Sequence, residues 1–307
     1  MKDNWTLDDM PDQTGKTVLI TGANDGLGFH LTMAFAQKNA GPIIMACRDL
    51  AKAESAREAI LKRCPEAELA IVRLDLGDLA SVEACAETVL ADYDRLDILM
   101  CNAGVMAVPF GKTQDDIELH MGVNYYGHFA LVGKLMQLIE NTPGARVVTT
   151  TSLAEKFGRL DLENPPTEGS YNRWFAYGDS KLAMLTLGLM LDEKFKREGI
   201  EAKGLSAHPG FTQTNLRTTR LQTETDPWQR LQLRFYEWLS VPVESGMLPL
   251  LYAATDPEVE GGEYIGVRGF VRWQGAPKID RGQKRAYDED LRKALWSKSE
   301  EITGVRF

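Results

Sequence analysis

The stretch TVLITGANDGLG, Thr17 to Gly28, constrains this chain more than any other. A short β-prone run leads directly into a turn with glycines at positions 22, 26 and 28, and the turn opens a helical pattern. Glycine permits the tight turn and lets backbone N–H groups approach a phosphate at a helix N-terminus, where the helix dipole favours negative charge. The spacing G-x-x-x-G-x-G is a variant of the dinucleotide-binding fingerprint, so Gly22, Asn24, Asp25, Gly26, Leu27 and Gly28 are the candidate pyrophosphate turn. A lone Gly-rich turn is weak evidence. Its place in the first strand-to-helix connection of an alternating pattern makes it specific.

That pattern runs on through the chain. Residues 17–21, 42–47, 69–74, 96–101, 146–152, 202–208 and 262–266 read as strands, separated by longer segments whose apolar positions recur every three or four residues. The alternation predicts an α/β fold of Rossmann type, doubly wound, with a mostly parallel seven-stranded sheet and helices on both faces. With 307 residues, 44% of them hydrophobic, and no composition break, residues 1–307 read as a single domain. The net charge of −9 with dispersed Lys and Arg excludes the footprint of a nucleic-acid binder, so a small-molecule partner is expected. There is no apolar run of ~18 residues for a membrane span, and the polar start MKDNWTLDDMPDQ is no apolar leader, which gives a cytoplasmic expectation. Cys47, Cys64, Cys85 and Cys101 lack metal-ligand spacing, so no metal is expected and they read as buried thiols.

Three segments depart from the rhythm. Residues 158–174 read as a loop rich in Pro, Gly and Asn that flanks a pocket. Residues 219–240 carry Trp228, Leu231, Phe235 and Trp238 at helical spacing, and read as a core helix, as part of a substrate lid over 211–240, or as a membrane-surface contact. Residues 268–307 form a C-terminal extension without a motif.

Strand ends collect the remaining polar candidates, as expected where a parallel sheet opens its ligand crevice. Asp75, followed by Leu76, closes the third strand and suits either an adenine amine or the cap of the next helix. Asn102, Ala103 and Gly104 close the fourth with small side chains on which a cofactor can lie. Asn124 falls in a helical region, where an isolated Asn normally caps or faces solvent. Ser152 ends the fifth strand, and HPGFTQT, with Pro209, Gly210, Thr212 and Thr214, ends the sixth. Tyr177 and Lys181 stand one helical turn apart, so phenol and ammonium lean toward one point. With nine Tyr in the chain, such a pair alone is nearly expected by chance.

Taken in order, TGANDGLG, ACRD, CNAG, VNYYGHF, the Ser152 strand, YGDSKLA and HPG resemble the short-chain dehydrogenase/reductase family, and most its retinol dehydrogenase-like branch, over roughly residues 14–267. The resemblance implies a Ser-Tyr-Lys-Asn catalytic set. Tyr177 would exchange a proton with a carbonyl or alcohol oxygen, Lys181 would hold the nicotinamide ribose and lower the phenol pKa, Ser152 would hold the substrate oxygen, and Asn124 would serve a water relay. It also implies pairing of the helices after Asn124 and Tyr177 across a possible homodimer interface.

Arg48, directly after the second strand, favours NADP over NAD, because an NAD site usually carries an acid there. Asp25 argues the other way, and Arg48 could simply pair with Asp49. The expected activity is NADP(H)-dependent hydride transfer between a nicotinamide and an apolar carbonyl or alcohol. Two alternatives stand beside it: a regulator that senses NADP without catalysis, and an epimerase or dehydratase of the extended branch.

Overall fold

The computed structural model describes residues 4–210, 243–267 and 276–307. The lid expected over 211–240, with Thr212 and Thr214, lies outside the described residues. Strands β1 (Val18–Thr21), β2 (Ile43–Cys47), β3 (Leu69–Arg73), β4 (Ile98–Cys101), β5 (Ala145–Thr150), β6 (Ala202–Ala207) and β7 (Tyr264–Val267) pair in parallel, in the order β3-β2-β1-β4-β5-β6-β7. An eighth strand, β8 (Pro277–Ile279), adds antiparallel to β7, so the seven-strand expectation is corrected to eight among the described residues. Its three residues were too few for the sequence pattern to mark.

Burial follows from the layers. β1, β2 and β4 are buried at every position because helices cover both faces, which is why they read as unbroken apolar runs. On one face lie α1 (Gly26–Gln37), α2 (Leu50–Leu61) and α7 (Leu248–Thr255); on the other lie α3 (Leu79–Asp92), α4 (Gly127–Lys134), α5 (Met136–Glu140) and α6 (Arg173–Glu198). A π-helical stretch, Met121–Tyr126, runs straight into α4. Helix starts are capped by side chains that accept orphan backbone N–H groups: Asp25 for α1, Asp49 for α2, Asp78 for α3 and Asn172 for α6. The motif-free C-terminal extension is ordered over its described part. It forms β8 and α8 (Glu289–Thr303), which lays Trp296 and Phe307 against Phe129 of α4. Among the described residues no helix is long and apolar enough to cross a membrane. Cys47, Cys85 and Cys101 are buried free thiols, while Cys64 is only partly buried.

Candidate active site

The strand order reverses between β1 and β4, and at that switch point a cavity of about 410 Å³ opens past the carboxyl ends of the strands. It runs from the Gly-rich turn, past Arg48 and Asp75, along Asn102, Ala103 and Gly104, to Ser152, Tyr177, Lys181, Pro209 and Gly210. Asn24, Leu27 and Leu76 line it as well. Every described candidate except Asn124 therefore borders one cavity.

The turn fits a pyrophosphate. Gly22 takes φ +68°, and a Cβ on Gly28 would come within 2.1 Å of the Gly22 carbonyl oxygen, so both positions need glycine. Asp25 accepts the Gly26 N–H at 2.7 Å and caps α1, which puts a carboxylate on the cavity wall at the helix N-terminus. The turn is anchored below by Thr21, whose Oγ1 accepts the N–H groups of Asn102 and Ala103, both at 2.9 Å. Asn102 Nδ2 donates to the Thr21 carbonyl at 2.9 Å. His128 completes this anchor: its Nδ1 donates to the Asn124 carbonyl at 2.8 Å, which leaves Nε2 to accept from Thr21 Oγ1 at 2.9 Å. Burial holds the His128 pKa down to about 4, consistent with that neutral tautomer.

At the Arg48 end of the cavity, Asp49 caps α2 and lies 3.9 Å from Lys52 Nζ, and among the described residues no ion pair joins it to Arg48. Arg48 is exposed on the cavity wall, and Lys52 lines the same wall, a second cation that sequence reasoning passed over. Asp75 accepts the Gly77 N–H at 3.0 Å and Asp78 caps α3, so Asp75 does not cap the helix.

At the other end, Ser152 Oγ accepts the Ala154 N–H at 3.2 Å and starts a short 3-10 turn, Leu153–Phe157. Lys181 is 5% exposed and Tyr177 9%. Lys181 Nζ donates to the Thr150 carbonyl at 2.9 Å and lies 5.8 Å from the centre of the Tyr177 ring. Burial brings the Lys181 pKa down to about 8. The Asn124 amide is occupied: Oδ1 accepts the Val105 N–H at 2.7 Å, and Nδ2 donates to the Val105 carbonyl and to Ser180 Oγ, both at 2.9 Å. It ties the loop after β4 to the helix that carries Tyr177 and Lys181.

A partly buried polar group beside Tyr177 carried no sequence signal. Tyr171 Oη is 3.0 Å from Glu118 Oε1 and 2.7 Å from His120 Nδ1, and the His120 ring centre is 6.1 Å from that of Tyr177. Glu118 also accepts the N–H groups of His120 and Met121 at the start of the π-helix that contains Asn124. One carboxylate thus joins the Asn124 helix to the loop leading into the Tyr177 helix. The signal available in advance was only that a Glu, a His and a Tyr occur near the two motifs.

Comparison with known proteins agrees with this geometry. The family description "short chain dehydrogenase" matches residues 16–225. Human retinol dehydrogenase 14 is 35% identical over 305 residues, covering 95% of this chain and 87% of that protein. Human retinol dehydrogenase 11 is 32% identical over 295 residues, covering 95% and 86%. Among solved structures, an uncharacterized protein of Mycobacterium paratuberculosis superposes with a TM-score of 0.80 at 33% identity, covering 99% of both chains. A short chain dehydrogenase of Escherichia coli CFT073, solved with NADPH, shares the fold at a TM-score of 0.63 and 23% identity, covering 83% of this chain and 98% of that one. The chain belongs to the short-chain dehydrogenase/reductase family, alongside retinol dehydrogenases, and is an NAD(P)-dependent oxidoreductase of alcohol and carbonyl groups.

Proposed function

We propose that this protein uses NADP(H) to reduce apolar aldehydes or ketones, or to oxidise the matching alcohols, with Ser152, Tyr177, Lys181 and Asn124 as its catalytic set. The observation that supports this most is the continuity of one cavity from the glycine turn and Arg48 to Tyr177 and Lys181. The bound nicotinamide supplies the hydride chemistry. Tyr177 gives its phenolic proton to the carbonyl oxygen during reduction and takes it back during oxidation. Lys181, positively charged at neutral pH, favours the phenolate and directs N–H groups toward the ribose side of the cavity. Ser152 Oγ accepts from Ala154 through one lone pair, which leaves its hydroxyl hydrogen to donate to a substrate oxygen. Asn124 acts through position, because its amide holds the Val105 loop against Ser180.

The NADP preference rests on Arg48 and Lys52, two cations on the wall where a 2′-phosphate would lie. Human retinol dehydrogenases 14 and 11 support an apolar substrate by their names. A panel of aldehydes, ketones and alcohols of graded chain length, followed by NADPH and NADH absorbance, tests the reading. Turnover of long-chain carbonyls with NADPH is expected. Cofactor binding without turnover of any member would favour the sensing alternative.

A further inference from the structure

The C-terminal extension meets the active site at two points. Asp280, directly after β8, faces His208, which opens the Pro209–Gly210 turn: His208 Nε2 and Asp280 Oδ2 are 3.1 Å apart, and the His208 and Asp280 side chains are 0% and 3% exposed. His208 Nδ1 accepts the Gly210 N–H at 3.1 Å, so the ring proton sits on Nε2 and is donated to Asp280. The carboxylate thereby selects the tautomer that can hold Gly210, a glycine at φ +69°.

Three residues further on, Gln283 clasps the turn that follows Ser152. Its Nε2 lies 3.1 Å from the Glu155 carbonyl, 2.8 Å from that of Lys156 and 3.0 Å from that of Gly158, while its backbone N–H donates to Glu155 Oε2 at 3.0 Å. Lys156 Nζ returns a bond to the Arg281 carbonyl. The clasped turn also abuts α6 next to Tyr177: a Cβ on Gly158 would come within 2.6 Å of the Gly178 carbonyl oxygen. Movement of this turn would displace Ser152.

We propose that Asp280 and Gln283 are positioning residues of the active site: Gln283 fixes the turn that carries Ser152, and Asp280, through His208, fixes the Pro209–Gly210 turn that borders the cofactor cavity. The Gln283 half rests on the oxidoreductase reading of Ser152, whereas the Asp280 half needs only cofactor binding.

The test compares Gln283→Ala, Ser152→Ala and their double variant for turnover of the best carbonyl substrate, and Asp280→Ala with Asp280→Asn for NADPH binding by fluorescence. Gln283→Ala should lower kcat by about tenfold to a hundredfold, the range expected for a small misplacement of a reacting group. NADPH affinity should stay within about twofold, and the same change should cost almost nothing further in the Ser152→Ala background. Should Gln283→Ala fail to fold, Gln283→Glu, of equal size but without the amide donors, replaces it. Asp280→Ala should weaken NADPH binding about tenfold, as expected for loss of a partner to a buried polar group, and Asp280→Asn, which keeps an acceptor, should restore most of it. Equal kcat losses in both Ser152 backgrounds, no loss at all, or unchanged NADPH affinity in Asp280→Ala would overturn the proposal. If the wild type turned over no carbonyl, the functional reading would fall, and the NADPH titrations would still decide the Asp280 half.

Discussion

Lys181 Nζ donates to the carbonyl oxygen of Thr150 at 2.9 Å, and no carboxylate among the described residues forms an ion pair with it. Burial of this ammonium lowers its pKa to about 8 from the ordinary 10.5. The cavity wall therefore holds a charge that folding disfavours.

A pH-dependent stability follows. Between pH 8 and 10.5 the unfolded chain binds the Lys181 proton while the folded chain releases it, so this group's contribution rises with pH across that window. Lys181→Met should be more stable than wild type at pH 7, by on the order of 3 kcal/mol less the value of the lost hydrogen bond. The advantage should fall by roughly half by pH ~9.5. Urea denaturation of both proteins at the two pH values checks this; an advantage independent of pH would contradict it.

Tyr177→Phe removes only the transferable proton. Turnover should fall by ~100-fold or more, while NADPH affinity stays within a factor of about two. Steady-state kinetics paired with fluorescence titration reads both quantities. A variant that retained a tenth of wild-type kcat would rule out the acid/base role.

The Glu118 carboxylate holds Tyr171, and its own pKa reports the balance. Burial pushes it up, but the hydrogen bonds from the His120 side chain and from the His120 and Met121 N–H groups outweigh burial and keep it below the ordinary 4.5. Its stabilising contribution is present above pH ~4.5 and is lost as pH falls through the lower folded value. Tyr171→Phe should cost about 1–3 kcal/mol at pH 7 and progressively less as pH falls through that lowered folded value and Glu118 gains its proton. Thermal melts across that range would show the convergence, and a constant difference would mean that the Glu118 charge is not what holds Tyr171.

The sequence showed the fold where backbone chemistry leaves a mark on residue type. The apolar runs of β1 and β2 and the glycines at 22 and 28 each follow from one local demand, burial on two faces or close backbone approach. Ser152 and Arg48 were legible because they follow strand ends inside motifs, and Tyr177 and Lys181 because they stand one turn apart on one helix face inside a motif. Glu118, His120, Tyr171, His208, Asp280 and Gln283 were not, because they have partners on other elements, and Lys52 was not, because an exposed lysine in the first turn of a helix carries no motif. His208 and Asp280 are 72 residues apart in the chain, and no spacing rule links them. β8 escaped for a related reason, since three residues on a sheet edge carry no period.

Helix α8 covers part of α4 and α6, the two helices that the family resemblance nominates for a dimer. Trp296 and Phe307 pack on Phe129, and Arg292 pairs with Glu193 of α6 at 2.9 Å. Association through the covered parts of those helices would have to displace α8. Light scattering after gel filtration should give a monomer at micromolar concentration. A dimer that fell apart when a charge was placed on the outer face of α4 would show that the interface forms in spite of α8.

The cofactor preference divides among three side chains with separable effects. Arg48 is exposed on the cavity wall and can present two N–H groups to a 2′-phosphate, so Arg48→Ala should cost NADP(H) about tenfold to a hundredfold in affinity and leave NAD(H) nearly unchanged. The Lys52 side chain is 73% exposed and shares its charge with Asp49, so solvent screening should hold the effect of Lys52→Ala to a few-fold. Asp25 opposes both. Serine caps a helix as well as aspartate does, so Asp25→Ser keeps the bond to the Gly26 N–H while removing a negative charge from the phosphate site. NADP(H) affinity should rise in that variant, and more at low salt than at high, because the repulsion is Coulombic. Titration of both cofactors against the three variants at two ionic strengths separates these effects. A wild type that prefers NAD(H), or equal losses for both cofactors in Arg48→Ala, would remove the 2′-phosphate from this wall and leave the Tyr177 chemistry intact.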